Sequence, residues 1–520
     1  MAKCLMVQGT SSDAGKSLLV TGLCRIYAKR GYKVAPFKSQ NMSLNSFTTK
    51  ENGEIAIAQV LQAEACKIEP NIHMNPILLK PKGNFTSQVI VQGKAVGDMD
   101  FKVYQNEYRN KALKAIKESL DILKSENDIV IIEGAGSPAE INLRDKDIAN
   151  MKIADIADAN VLLIADIYKG GVFASIAGTI MLLNEEDKKR VKGTVINKFI
   201  GDASILIPGI KEIEEITKVP VLGVLPYDNN LKLPDEDSAS LKNHKFNKNK
   251  EITIGIIKFP KIANFTDIDP FEYEKDVGII MIEMEDNLEN YKDKLDALIL
   301  PGTRNATGDM KILKDKGMDK IIKDLAKEIP IIGICGGYQI LGNTIHDENK
   351  KESNVGTIKG LGLLDIESYF VKEEKIVKQS IANISLNKPS SNNDHENLIN
   401  QIFNNIDGEE VRGFELHEGI TKLNTSKPLF KIKQGFGNND NDKYDGAYEK
   451  NVFGTYFHGI FNNYNIRREF LNYIRRQKGL KEQNGQDPYE TTKDYSIERL
   501  TKIIEDNLDM DYIDKLIFDE

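Results

Sequence analysis

Short, wholly apolar runs alternate along this chain with longer, charged and periodic stretches, and that alternation narrows the choice of fold more than any other feature. Up to residue 228, runs such as "CLMVQG", "DIVIIEGAG", "NVLLIADI" and "GTVINKF" are separated by stretches such as "NEYRNKALKAIKESLDIL". Runs without a polar face predict strands buried on both sides, and the stretches between them predict helices, which together specify a parallel α/β sheet. The pattern stops at "EDSASLKNHKFNKNK" and resumes with "ITIGIIKFP", "DALILPG" and "IPIIGICGG", before a more strand-like region with Gly-rich turns. We therefore expect an α/β domain over 1–240, a linker at 241–250 and a second α/β domain over 251–480. A charged, periodic tail over 481–520 predicts amphipathic helices that pack back on the body. The polar stretches at 388–396 and 435–445 read as exposed loops.

A length of 520 residues exceeds what one hydrophobic core organises, in agreement with two domains. With 70 basic against 78 acidic residues and no long basic cluster, the chain lacks the electrostatic footprint of a nucleic-acid or anionic-membrane binder. Cys4, Cys24, Cys66 and Cys335 stand far apart without a CxxC pair, which suits neither a disulfide framework nor a zinc site. The opening "MAKCLMVQGTSS" lacks the long apolar stretch of a secretory signal, and no apolar run is long enough to span a bilayer. A cytoplasmic protein is expected.

"CLMVQGTSSDAGKSLLV" sets Gly9, Thr10, Asp13, Gly15, Lys16 and Ser17 between an apolar strand and an amphipathic helix. That is the setting of a phosphate loop, in which backbone N–H groups surround the anion, Lys16 reaches the terminal phosphates and the Ser17 hydroxyl meets Mg²⁺. Five residues separate the two glycines, one more than in the common pattern. "DIVIIEGAGS" ends a second strand at Glu133, where the carboxylate either faces the Mg²⁺ of a bound nucleotide or caps a helix. Asn197 in "VINKF" follows a strand on the same side and either reads adenine or stabilises a turn.

In "GICGG" the glycines around Cys335 let a strand turn sharply into a helix while the thiol stays accessible, as a nucleophile elbow requires. The N–H of Gly336 would serve a developing oxyanion, with a second donor from the backbone of Gly302 or Thr303 in "LILPGTRNA". A base is also needed. Of the six histidines, His417 in "GFELHEG" and His458 in "FGTYFHGIF" end strand-like runs, whereas His73, His244, His346 and His395 read as surface or packing residues.

"GTSSDAGKS" with "EGAGS" resembles the dethiobiotin synthetase-like branch of P-loop enzymes. The partition ATPases fit less well, because Ser11 stands where their signature lysine would be. "GICGGYQILG" followed by "VFGTYFHGIF" resembles the class I glutamine amidotransferase domain, which is flavodoxin-like and frees ammonia from glutamine. On that pattern Cys335 is the nucleophile and His458 the base. Ile460 occupies the place of the usual glutamate, so the third member is either absent or supplied from elsewhere.

Further stretches, "PFKSQNMSLNS", "NPILLKPKGNFTSQVIVQGK", "EGAGSPAEINLRDKDIANM", "DIYKGGVFASIAGT" and "KFPKIANFTDIDPF", resemble the adenosylcobyric acid synthase family of cobalamin biosynthesis. The resemblance implies amidation of four carboxylates, b, d, e and g, of a corrinoid, adenosylcobyrinic acid a,c-diamide, with one ATP and one L-glutamine for each. It also implies that Lys38 and Asp147 lie at the ATP and corrinoid site. Tyr168-Lys169 replace the family's common Asp-Arg, and no role follows for them. The alternatives are a cobyrinic acid a,c-diamide synthase and a nucleotide-dependent regulatory protein without catalysis.

Overall fold

The central strands of the first half are apolar on both faces: Leu5 to Val7, Ile129 to Ile132 and Val161 to Ala165 are all at most 1% exposed. A computed structural model describes residues 2–83, 85–234, 250–370, 375–386 and 398–519. The expected loop at 388–396, and all of the expected linker except residue 250, lie outside the described residues, as do His244 and His395. The chain divides into two units, Met1–Pro234 with Thr492–Glu520, and Asp235–Thr491.

In the first unit six strands pair in the order Val221–Pro226, Val191–Phe199, Asn160–Asp166, Lys3–Gly9, Ile129–Glu133 and Val34–Phe37, every pair parallel. The alternation of apolar and charged stretches thus yields the parallel sheet it predicts. One part departs from it. Gln40–Met42, Ile77–Gly83, Thr86–Val91 and Lys94–Asp100 form a separate four-stranded sheet, antiparallel after its first pair. Its last hairpin turns through Gln92 and Gly93, at φ 44° and 79°. Two left-handed residues match the twist of an antiparallel pair, a local signal that outweighs the surrounding βα rhythm.

The helix Lys16–Lys29 presents Leu19, Val20, Leu23, Ile26 and Tyr27 to a core that also holds Ile497, Leu500, Ile504, Ile513 and Ile517 of the terminal helices Pro488–Asn507 and Met510–Phe518. Contact is close at Gly22, where an added Cβ would lie 2.1 Å from Cδ1 of Ile504. Around this seam the buried Arg25 donates to Asp494 at 3.1 Å and Glu498 at 3.0 Å, and Arg30 pairs with Asp514 at 2.8 Å. The tail therefore braces the helix that follows the glycine-rich loop. Ile504→Ala is expected to destabilise the first unit by about 2–5 kcal/mol, read as a lower denaturant midpoint for that unit.

The second unit has a six-stranded sheet in the order Val277–Glu283, Ile252–Lys258, Ala297–Leu300, Ile331–Ile334, Val452–Thr455 and Ala447–Glu449; the last strand alone is antiparallel. Two further four-stranded sheets are built mostly from residues 344 to 445. The stretch at 435–445, expected to be an exposed loop, is partly interior: Asn438 is fully buried and Asn439 nearly so. The Asn438 amide donates to the Gly446 carbonyl at 3.0 Å, and its oxygen accepts from the Tyr338 hydroxyl. Polar composition reads as exposure only when no internal partner is available. No described helix is long and apolar enough to cross a membrane.

Candidate functional site

The register of the first sheet aligns Gly9 with Ile164 and Val7 with Glu133, so the loop after Gly9 leaves the sheet between the ends of two neighbouring strands. In an open parallel sheet this edge is where ligands gather. Asp13 and Gly15 turn the loop with φ of 59° and 107°. A Cβ on Gly15 would sit 2.1 Å from Nδ2 of Asn197, so only glycine fits there. The Thr10 N–H donates to the Ile164 carbonyl at 3.0 Å, fixing the loop's start. Asn197 donates to the Ala14 carbonyl at 2.9 Å, and Lys198 donates to the Asp13 carbonyl and pairs with Asp166 at 2.9 Å. Both residues thus hold the loop by its backbone.

Lys16 is buried, and its ammonium donates to the carbonyls of Ser11 at 2.9 Å and Gly136 at 3.1 Å. Glu133, 1% exposed, gathers three donors: Ser17 Oγ at 2.8 Å and Lys38 Nζ at 2.8 Å on Oε1, and Gln62 Nε2 at 2.6 Å on Oε2. A buried carboxylate is tolerated only when charged and polar partners surround it, and Lys38 supplies the charge. The structure brings Ser17, Lys38 and Glu133 together. The Ser17 hydroxyl and the Glu133 carboxylate form a small all-oxygen set, which fits Mg²⁺, a cation that takes its other ligands from phosphate and water. Asp147 is engaged locally: its carboxylate accepts from the amides of Ala149 at 2.8 Å, Asn150 at 2.9 Å and Lys152 at 3.0 Å at the start of the helix Met151–Ala157.

In the second unit Ile334 pairs with Thr455, so the segments leaving these two parallel strands emerge side by side. Cys335 is held at φ 52°, ψ −108°, a conformation that residues with a Cβ rarely adopt. Its N–H donates to the Thr455 carbonyl at 2.8 Å and its carbonyl accepts from Gln339 at 3.2 Å, so neighbouring structure fixes the elbow. The thiol donates to the Leu416 carbonyl at 3.7 Å and acts electrostatically on the imidazole of His458. The ring's Nδ1 meets Oδ2 of Asp267 at 2.7 Å, while Asp267 Oδ1 accepts from the Gly459 N–H at 2.7 Å. Burial opposes a charge on His458, but Asp267 and Cys335 outweigh it and push its pKa up to about 10.

The loop that should complete an oxyanion pocket lies against the elbow. A Cβ on Gly336 would be 2.7 Å from Thr303 Cγ2, and one on Gly302 would be 3.0 Å from Cε1 of His458. Thr303 is anchored in turn, since its hydroxyl donates to the buried Asp309. Burial raises the Asp309 carboxyl to about 7, against the pull of Thr303 and Lys261.

His417, the rival base, meets the Gly419 carbonyl at 2.7 Å through Nδ1 and Glu415 at 3.2 Å through Nε2, and it stacks on Tyr456. Both nitrogens are thus occupied by acceptors two residues away in the chain. Burial opposes the charge on Glu415, yet donation from His417, Ser380 and Phe436 holds its carboxyl below the usual range.

Two family descriptions cover most of the chain: a CobQ/CobB/MinD/ParA nucleotide binding domain matches residues 5–241, and a CobB/CobQ-like glutamine amidotransferase domain matches residues 253–466. A protein of Methanothermobacter thermautotrophicus named "Probable cobyric acid synthase" is 56% identical over 99% of each chain. The chain belongs to the cobyric acid synthase family. Relatives with that printed name in Methanosphaera stadtmanae and Methanocaldococcus jannaschii are 53% and 48% identical over 99% and 98% of this chain, and 100% and 99% of their own. Membership of the cobyric acid synthase family makes the chain a glutamine-dependent ligase with a nucleotide-binding unit.

Sequence reasoning did not find Asp267 or Gln62. Asp267 stands in "ANFTDIDPF", a stretch that carried the family resemblance without a role, and Gln62 lies in a helix whose pattern reads only as amphipathic. Asp267→Asn should keep the ring's position but remove the charge beside it, and is expected to lower glutamine hydrolysis about 10²–10⁴-fold in steady-state kinetics. The pH dependence has a definite sign. Because the folded pKa of His458 is raised, the pair's contribution to stability is full below about pH 6.5 and is lost as pH rises through about 10. The stability gap between wild type and Asp267→Asn should therefore shrink between about pH 7 and about pH 11 in denaturant titrations.

Proposed function

We propose that the chain is a cytoplasmic adenosylcobyric acid synthase, which amidates the b, d, e and g carboxylates of adenosylcobyrinic acid a,c-diamide with ATP and L-glutamine. The observation that carries this reading is the Cys335, His458 and Asp267 constellation in a chain whose other unit sets Ser17 beside Glu133 and directs Lys16 into the glycine-rich loop. Family membership implies ATP, glutamine and a corrinoid. The four free cysteines suit a reducing compartment.

At the second unit Cys335 passes its thiol proton to His458 as Sγ attacks the side-chain amide carbon of glutamine. The oxygen of the tetrahedral adduct is received by the Gly336 N–H and the Gly302–Thr303 backbone. His458 gives a proton to the departing ammonia, with Asp267 holding the ring and balancing its charge. Water then cleaves the thioester to glutamate, with His458 as the base, and the thiol is restored. At the first unit a corrinoid carboxylate oxygen attacks the γ-phosphorus of ATP and ADP leaves. Phosphorylation converts a poor leaving group into a good one, so ammonia displaces phosphate from the acyl phosphate to give the amide. Lys16 follows the β- and γ-phosphates, and the loop amides receive their charge. Ser17 and Glu133 would hold Mg²⁺, which supplies charge stabilisation on the phosphates when bound. Lys38 pairs with the Glu133 carboxylate beside them at 2.8 Å.

The test is a mass measurement on purified protein incubated with ATP, glutamine and either corrinoid. Four acid-to-amide conversions on the a,c-diamide support the proposal. Conversion of the unamidated acid at a and c alone would replace it with the a,c-diamide synthase reading.

A further inference from the structure

Beyond the phosphate loop, the same edge of the first sheet carries two aromatic rings that the mechanism does not use. Tyr168 follows the strand Asn160–Asp166 and Tyr227 follows Val221–Pro226; they are 66% and 45% exposed. Exposed aromatic rings that lie side by side form a contiguous patch, the kind of surface that ligands cover. The rings stack on one another, with centroids 5.7 Å apart and planes 23° from parallel. Each is fixed by its backbone: the Tyr168 N–H donates to Asp166 at 2.7 Å, and the Tyr227 N–H donates to the Phe199 carbonyl at 2.8 Å.

The pair is tied directly to the loop. Asp166, which positions Tyr168, is also the partner of Lys198, whose ammonium donates to the carbonyl of Asp13 in the loop. Lys198 itself is held at φ 62°, a conformation adopted at some cost by a residue with a side chain. Next to Tyr168, Gly170 and Gly171 have φ of 81° and 71°, and a Cβ on either would meet nothing within 4 Å, so the turn that follows the exposed ring is uncrowded. A rigid aromatic platform, exposed and linked by two side chains to a phosphate-binding loop, has the chemistry to receive a planar base attached to those phosphates.

We infer that the stacked Tyr168–Tyr227 pair is the platform on which the purine base of the nucleotide lies while the loop from Gly9 to Ser17 holds its phosphates. The inference rests on the nucleotide reading of that loop and adds to it the recognition of the base. Stacking on a ring face is indifferent to hydroxyl substituents, so Phe serves as well as Tyr and Ala does not.

The experiment compares the full-length Tyr168→Ala/Tyr227→Ala variant with the corresponding double Phe variant in the corrinoid amidation assay. KM for ATP should rise about tenfold in the double Ala protein and return to near the wild-type value in the double Phe protein. Inhibition by inorganic tripolyphosphate, which has phosphates but no base, should be unchanged in both. An unaltered KM for ATP overturns the inference, as does a rise confined to the corrinoid, or a parallel weakening of tripolyphosphate that would mark a merely structural role. Lys16→Ala separates the two levels: ATP turnover surviving in that variant would refute the nucleotide reading itself, whereas its loss beside unaffected Tyr variants would refute only the platform.

Discussion

Cys335→Ala should lower glutamine-dependent amidation at least about 10³-fold while leaving amidation from added ammonium salts close to wild type. The asymmetry follows from where the residue stands. Sγ is the nucleophile proposed for glutamine, and Cys335, Gly336, His458, Asp267 and Gly302 form one contact set within the second unit. Ammonia supplied from solution bypasses that set and needs only the activated carboxylate. Folding should survive the change, because the bonds that hold the elbow run from the backbone of residue 335 to Thr455 and Gln339, and Ala retains both. Equal loss with glutamine and with ammonium would place Cys335 outside the ammonia-releasing step.

Lys16→Ala should have the complementary effect. ATP turnover and amidation from either nitrogen source are expected to fall at least about 10²-fold, with glutamine hydrolysis by the second unit still measurable. The ammonium is directed into the loop by the Ser11 and Gly136 carbonyls, and Gly9 leaves room for it, since a Cβ there would stand 2.9 Å from Nζ. The truncated side chain cannot follow phosphates through transfer. Phosphate release measured with and without corrinoid checks the result, and full turnover in the variant would contradict the assignment of the loop.

The two α/β sheets were legible because parallel strands buried on both faces leave β-branched apolar runs of about four to seven residues, too short for helices and bounded by glycine or charged stretches. Cys335 and His458 were legible for a related reason: each sits just beyond a central strand, in a short glycine-marked motif. Asp267 was not, since it reaches His458 from 191 residues earlier in the chain and no local pattern records such a meeting. Gln62 and Lys38 converge on Glu133 from separate segments, and only the resemblance gave Lys38 a place. The buried amides of Asn438 and Asn439 escaped notice because their composition is that of a loop, and only the partners Gly446, Tyr338 and Thr421 make burial affordable. Burial of polar groups is decided by long-range partners, whereas apolar periodicity is local.

The most direct test of the coupled reaction supplies amide-¹⁵N glutamine, ATP and adenosylcobyrinic acid a,c-diamide to the wild-type protein, and follows corrinoid mass together with ADP. The account predicts a corrinoid that gains four ¹⁵N amides with one ADP formed for each. Labelled amides without matching ADP, or ADP formation with the glutamine nitrogen never reaching the corrinoid, would contradict it.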